Sequence, residues 1–174
     1  MVFVRISLVL AVCSGLAVAQ TPRKQAEKEL AREVPAGSVQ ACSLIARADV
    51  LKATGRNPYV EPEPAGQAGW ICNFGVGELK VYSGPKSWDA WQSTLKGFKK
   101  DKEPRTPAPG FGEGAYFLYL KPDNAYQSET AFLVARTGMH TLALSLDVPE
   151  GKPADSVRPA LETLMTIAIT RLPK

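Results

Sequence analysis

The stretch that decides the fold is Thr130-Ala131-Phe132-Leu133-Val134-Ala135-Arg136-Thr137-Gly138-Met139-His140-Thr141-Leu142-Ala143-Leu144-Ser145-Leu146. Two apolar runs of strand length meet across Thr137-Gly138, and a glycine between two such runs is the signal of a β-hairpin. Working outward, Ala115-Tyr116-Phe117-Leu118-Tyr119-Leu120 follows the turn-forming Gly110-Phe111-Gly112-Glu113-Gly114 and reads as a third strand beside the hairpin. Further upstream, Trp70, Cys72 and Phe74 alternate in Gly69–Gly75, and Glu78–Tyr82 alternates again after Gly75-Val76-Gly77. This is a second hairpin, with Trp70, Cys72 and Phe74 expected on its buried face.

Three helices separate and close these strand groups. Cys42 to Thr54 places Leu44, Ile45, Ala48 and Leu51 on one face, and Gly55 is positioned to end it. Ser87 is the expected N-cap of a helix whose Trp88, Trp91, Leu95 and Phe98 form one apolar stripe. From Asp155 to Leu172 the repeat of Val157, Ala160, Leu161, Leu164, Met165, Ala168 and Leu172 is the strongest amphipathic pattern in the chain. Strands grouped in hairpins, rather than alternating singly with helices, imply an antiparallel sheet. The expected class is α+β: one antiparallel sheet of about five strands packed against two or three helices. Two proline-bearing stretches, Glu61–Pro64 and Pro104–Pro109, read as surface loops.

The N-terminus carries an address. Arg5 precedes the short apolar run Ile6–Leu16, and Ala17-Val18-Ala19 places small residues where a signal peptidase cuts. Residues 1–19 are therefore expected to be a signal peptide cleaved after Ala19, giving a periplasmic or secreted protein. Leu10-Ala11-Val12-Cys13 also approximates a lipobox, in which Cys13 would be acylated and the protein anchored, although Val12 stands where a small residue is expected. Residues 20–40 form a charged segment with a helical stretch from Lys24 to Glu33, and 41–174 read as a single domain.

The full chain holds 21 Lys+Arg and 17 Asp+Glu, and loss of Arg5 with the signal leaves a net charge of +3. That balance, with basic residues interspersed among acids in Lys24–Glu29 and Lys99–Glu103, gives no reason to expect a nucleic-acid partner; both clusters read as solvated faces. Contact with a membrane is expected only if Cys13 is lipidated.

Of the three cysteines, Cys13 leaves with the signal, so Cys42 and Cys72 have only each other to pair with in an oxidising compartment. A bridge closing a loop of about 30 residues stabilises by roughly 3–4 kcal/mol in the chain-entropy model. The spacing is not that of a Cys-x-x-Cys redox pair, and His140 is too little to complete a zinc site. The cysteines are expected to be structural.

The opening helix from Cys42-Ser43-Leu44-Ile45 through Asp49-Val50 to Gly55, the later Cys72 after an aromatic, and Gly110-Phe111-Gly112-Glu113-Gly114-Ala115 together resemble a family of small secreted proteins and lipoproteins of the bacterial envelope, grouped as a domain of unknown function. The resemblance spans about residues 41–172 and implies an envelope location, the Cys42–Cys72 pairing and the fold, but no reaction. Ala46 stands where the family has the Thr that caps the helix, and Asp49 where it has the Glu that completes a capping box, so a weaker helix start is expected.

Catalytic constellations are sparse. His140, the only histidine, lies in strand alternation, and no Gly-x-Ser-x-Gly elbow is present. The glycine runs lack the Lys-Ser/Thr helix start of a phosphate loop, and the acidic pair Glu61 and Glu63 lies in a proline-rich stretch. No cofactor and no metal are expected. The leading expectation is a non-catalytic envelope domain that binds an envelope protein or small ligand, with unspecified binding residues. The alternatives are a small periplasmic hydrolase with a carboxylate-based site, and a lipid or small-ligand carrier with an apolar cavity under the Trp88–Phe98 helix.

Overall fold

The computed structural model describes residues 39–58, 63–64, 70–121 and 128–173. Residues 1–19, read as a signal peptide, the Lys24–Glu33 stretch and Glu61 lie outside them. Within the described residues the chain forms a seven-stranded sheet in the order β1-β2-β3-β7-β6-β5-β4, every neighbouring pair antiparallel. The strands are β1 (Glu63–Pro64), β2 (Ile71–Asn73), β3 (Gly77–Ser83), β4 (Arg105–Pro107), β5 (Gly114–Leu120), β6 (Thr130–Thr137) and β7 (His140–Asp147). The helices are α1 (Arg47–Thr54), α2 (Ser87–Gly97) and α3 (Arg158–Thr170), with 3-10 turns at Ala41–Ser43 and Ala154–Val157. The α+β class holds, with five strands where the hairpin patterns place them.

The two additional strands, β1 and β4, fall inside the proline-bearing stretches read as loops. Both are edges, where a proline is tolerated because the outward side of the strand has no ladder to complete. Ala108 donates its N–H inward to the Ala115 carbonyl at 3.0 Å. By strand alternation the N–H at position 107 would face outward, and Pro107 removes that exposed donor.

The sheet buries both faces, unequally. Leu79, Val81, Leu133, Leu142, Leu144 and Leu146 point to one side, each at most 2% exposed, and meet Leu44, Ile45 and Val50 together with Leu161, Leu164 and Met165 of α3. Alternate residues Tyr116, Leu118, Val134 and Ala143 point the other way and meet Trp91 and Leu95 of α2. One 11-residue helix thus serves the second face, while the first is covered by two helices and a 3-10 turn.

The opening helix is broken. A 3-10 turn at Ala41–Ser43 is separated from α1 by Leu44–Ala46, whose first two side chains are buried. The Leu44 carbonyl, freed from a helical ladder, accepts from Arg171 at 3.1 Å, and the same guanidinium grips Asp49 at 2.5 and 3.3 Å. Asp49 also takes the Ala46 N–H at 2.8 Å, so it fulfils the capping role expected to be weakened, while Ala46 supplies no side-chain acceptor. Gly55 ends α1 as expected, at φ 66°. The expected apolar face is not the one α1 buries: the break before Arg47 resets the helical phase, so that Ala48 and Leu51 are exposed and Val50 is buried.

In α2, Ser87 is the first helical residue rather than the cap. Its hydroxyl is buried and accepts from Thr141 at 3.1 Å. Trp91 and Leu95 are buried, but Phe98 is 67% exposed because the helix ends before it can complete the stripe. The disulfide between Cys42 and Cys72, with Cα atoms 4.9 Å apart, ties the 3-10 turn to β2. Cys72 and Phe74 are fully buried as expected; Trp70 is half-buried and its ring instead meets Tyr82 at 5.4 Å.

Candidate binding surface

The α2 side of the sheet collects the aromatic side chains. From Tyr82 on β3, whose ring also contacts Trp70, the contacts run to Trp91 on α2 at 6.1 Å and on to Phe132 on β6 at 6.0 Å. Trp88, one turn before Trp91, stands edge-on to Tyr116 of β5 at 5.8 Å. The sequence causes are the period-2 alternation that turns Tyr82, Tyr116 and Phe132 to one face and the helical spacing that sets Trp88 and Trp91 above them. Trp91 and Tyr116 are buried, whereas Trp70, Tyr82, Trp88 and Phe132 are half-buried.

Polar anchors hold the rings. The Trp91 indole N–H donates to the Tyr116 hydroxyl at 2.6 Å, and the Gln92 amide donates to the same oxygen at 3.4 Å. The Tyr82 hydroxyl lies 3.2 Å from that of Thr94. Burial pushes the Tyr82 phenol up, the Thr94 hydrogen bond opposes this and the Glu78 charge adds to it, so the phenol is neutral at physiological pH. The Arg105 guanidinium lies 4.9 Å from the Tyr116 ring centroid, and Lys80 pairs with Glu78 on the same sheet face. Such a surface can stack against and hydrogen-bond a ligand, and its two phenol hydroxyls are engaged by Thr94, Trp91 and Gln92.

The residues considered for chemistry are placed elsewhere. Cys42 and Cys72 are consumed by the disulfide. Cross-strand pairing sets His140 Nδ1 3.0 Å from the Ser83 hydroxyl, a contact that sequence inspection missed because the two are 57 residues apart. Burial pulls the His140 ring below its ordinary value, but among the described residues no carboxylate hydrogen-bonds the ring to orient it as a base. Glu63 is set by backbone register opposite Asn73.

Two carboxylates do come within electrostatic reach. Burial raises the Asp147 carboxyl, the nearby Arg56 charge opposes this, and Glu78 raises it further. Among the described residues there is no group of three or more His, Cys, Asp or Glu arranged to hold a metal, and no helix long and apolar enough to cross a membrane. Comparison of the chain with protein-family models, with curated proteins and with solved structures gives no match.

Proposed function

We propose that this chain is an exported envelope domain, stapled by one disulfide, that acts by binding rather than catalysis and presents the aromatic α2 side of its sheet to a protein or small-ligand partner. The observation that carries the reading is the asymmetry of the sheet. One face is buried under two helices, while the other keeps Trp70, Tyr82, Trp88 and Phe132 half-open beside Arg105 and Lys80. Aromatic residues with a cation at hand are the side chains that dominate binding energy at recognition surfaces. The location rests on the expected cleavage after Ala19, with acylation at Cys13 as the lesser alternative; the intact mass of the exported protein distinguishes a chain beginning at Gln20 from one acylated at Cys13.

A photo-crosslinking amino acid at Trp88 tests the surface in cells. One reproducible adduct, lost when Phe132 is changed to Ser, is the expected result. Recovery of uncrosslinked monomer alone would remove the protein-partner form of the reading. The hydrolase alternative draws its support from the Asp147 and Glu78 carboxylates, and predicts a hydrolytic activity abolished by Asp147→Asn and Glu78→Gln. The carrier alternative draws none from the seam under α2, which Trp91 and Leu95 fill, each only 2% exposed.

A further inference from the structure

The C-terminal end of α2 is built in an unusual way. Lys100 N–H donates to the Leu95 carbonyl at 2.9 Å and Lys99 N–H to the Lys96 carbonyl at 2.9 Å. These are the paired bonds of a Schellman motif, whose left-handed position is ordinarily glycine. Here Lys99 occupies it, at φ 57°, the one described non-glycine residue with positive φ. Phe98, the last residue before this turn, stands in solvent beyond the buried stripe, 67% exposed, between the exposed Lys96 and Lys99.

The chain then stays ordered at this tip. Glu103 N–H donates to the Lys100 carbonyl at 3.3 Å, and Arg105 reaches back to the Asp101 carbonyl at 3.2 Å. Residues 96–105 carry Lys96, Lys99, Lys100, Lys102 and Arg105 against Asp101 and Glu103, a net of +3 within ten residues. That equals the net charge expected of the whole mature chain, so the rest of it is balanced.

We infer that this tip is a membrane-docking element, in which Phe98 enters the interface of a bilayer while the surrounding lysines face anionic lipid headgroups. The charge is complementary to such a surface, and an aromatic ring ringed by flexible cations is the combination that interfaces with anionic lipid retain. The tip goes beyond the sheet-face binding surface and shares only Arg105 with it; without Arg105, four lysines still stand against two acids in residues 96–104. It also gives the Lys99–Glu103 cluster, read from sequence as a solvated face, a partner that needs no acyl chain at Cys13.

The test is co-sedimentation of the exported protein with vesicles of phosphatidylcholine containing about one-third phosphatidylglycerol, against vesicles of phosphatidylcholine alone. The expected result is binding to the anionic vesicles that weakens with salt. It should fall about fivefold for each of Lys99→Gln and Lys102→Gln, and about tenfold for Phe98→Ser. Because all variants share one N-terminus, any binding by that end cancels in the comparison. Phe98 is exposed, so an unchanged melting temperature verifies that its variant is folded. Phe98→Trp should give a vesicle-dependent blue shift absent from the parent. Equal binding to both vesicle types, or binding unaffected by Phe98→Ser, would overturn the inference; so would salt-sensitive binding to a soluble polyanion that fully displaces the vesicles without regard to Phe98.

Discussion

At the scale of single residues, the sheet is closest to intolerance at its glycines. Gly112 sits at φ 82°, and a Cβ there would lie 2.2 Å from the Arg136 carbonyl oxygen, which already accepts the Glu113 N–H at 2.9 Å. Gly112→Ala should therefore lower stability by at least about 2 kcal/mol in urea titration, through both a disfavoured backbone and a displaced β5 turn. The glycine-rich motif, tempting as a phosphate cradle, is explained by this close approach. His140 gives a pH dependence of definite sign. Burial lowers its folded value below 6.5, so the unfolded chain holds the proton more firmly. The resulting stability is present above pH 6.5 and is lost as the pH falls through the lowered folded value. His140→Gln should flatten the change in melting temperature between pH 7.5 and 5. At this scale the sequence revealed which residues were special but not their partners: Ser83 against His140, and Arg171 against Asp49, are brought together only by the finished fold.

At the scale of elements, the four long strands, the short β2 and the helices α2 and α3 could be read from periodicity, because each must bury one face and the apolar residues mark that face. The face of α1 could not, since Ala48 and Leu51 are exposed and Val50 is buried. What could not be read follows from what periodicity omits. The edge strands β1 and β4 need few apolar residues and tolerate proline; the break at Leu44–Ala46 depends on a carbonyl bonded from the far end of the chain; and the exposure of Phe98 depends on where α2 stops. The aromatic surface was half-legible, since the Trp88–Leu95 stripe was visible while the strand rings that meet it were scattered over three segments. The disulfide joins two of the shortest elements, a 3-10 turn and a three-residue strand. Reduction should cost about 3–4 kcal/mol of stability, read as a lower urea midpoint in reductant. Cys72→Ser should show the same midpoint with and without reductant.

At the scale of the whole molecule, order in the sheet is not order in the chain. The centre is β7, flanked by β3 from the first half and β6 from the second. Hydrogen exchange should be slowest in β6 and β7, where both neighbours are long strands and both faces are covered, and fastest in β1 and β4, which have a neighbour on one side only. Comparable protection across all seven strands would contradict that ranking. The fold class followed from sequence, whereas this arrangement did not, since hairpins specify local pairing and leave open which strand of one group meets the other. The late position of β7 has a kinetic meaning. Until residues 140–146 are made, β3 lacks its inner neighbour and the two hairpin groups share no complete ladder. A nascent chain threaded outward N-terminus first would thus remain without its central seam through most of its passage, and could close the sheet only on the far side.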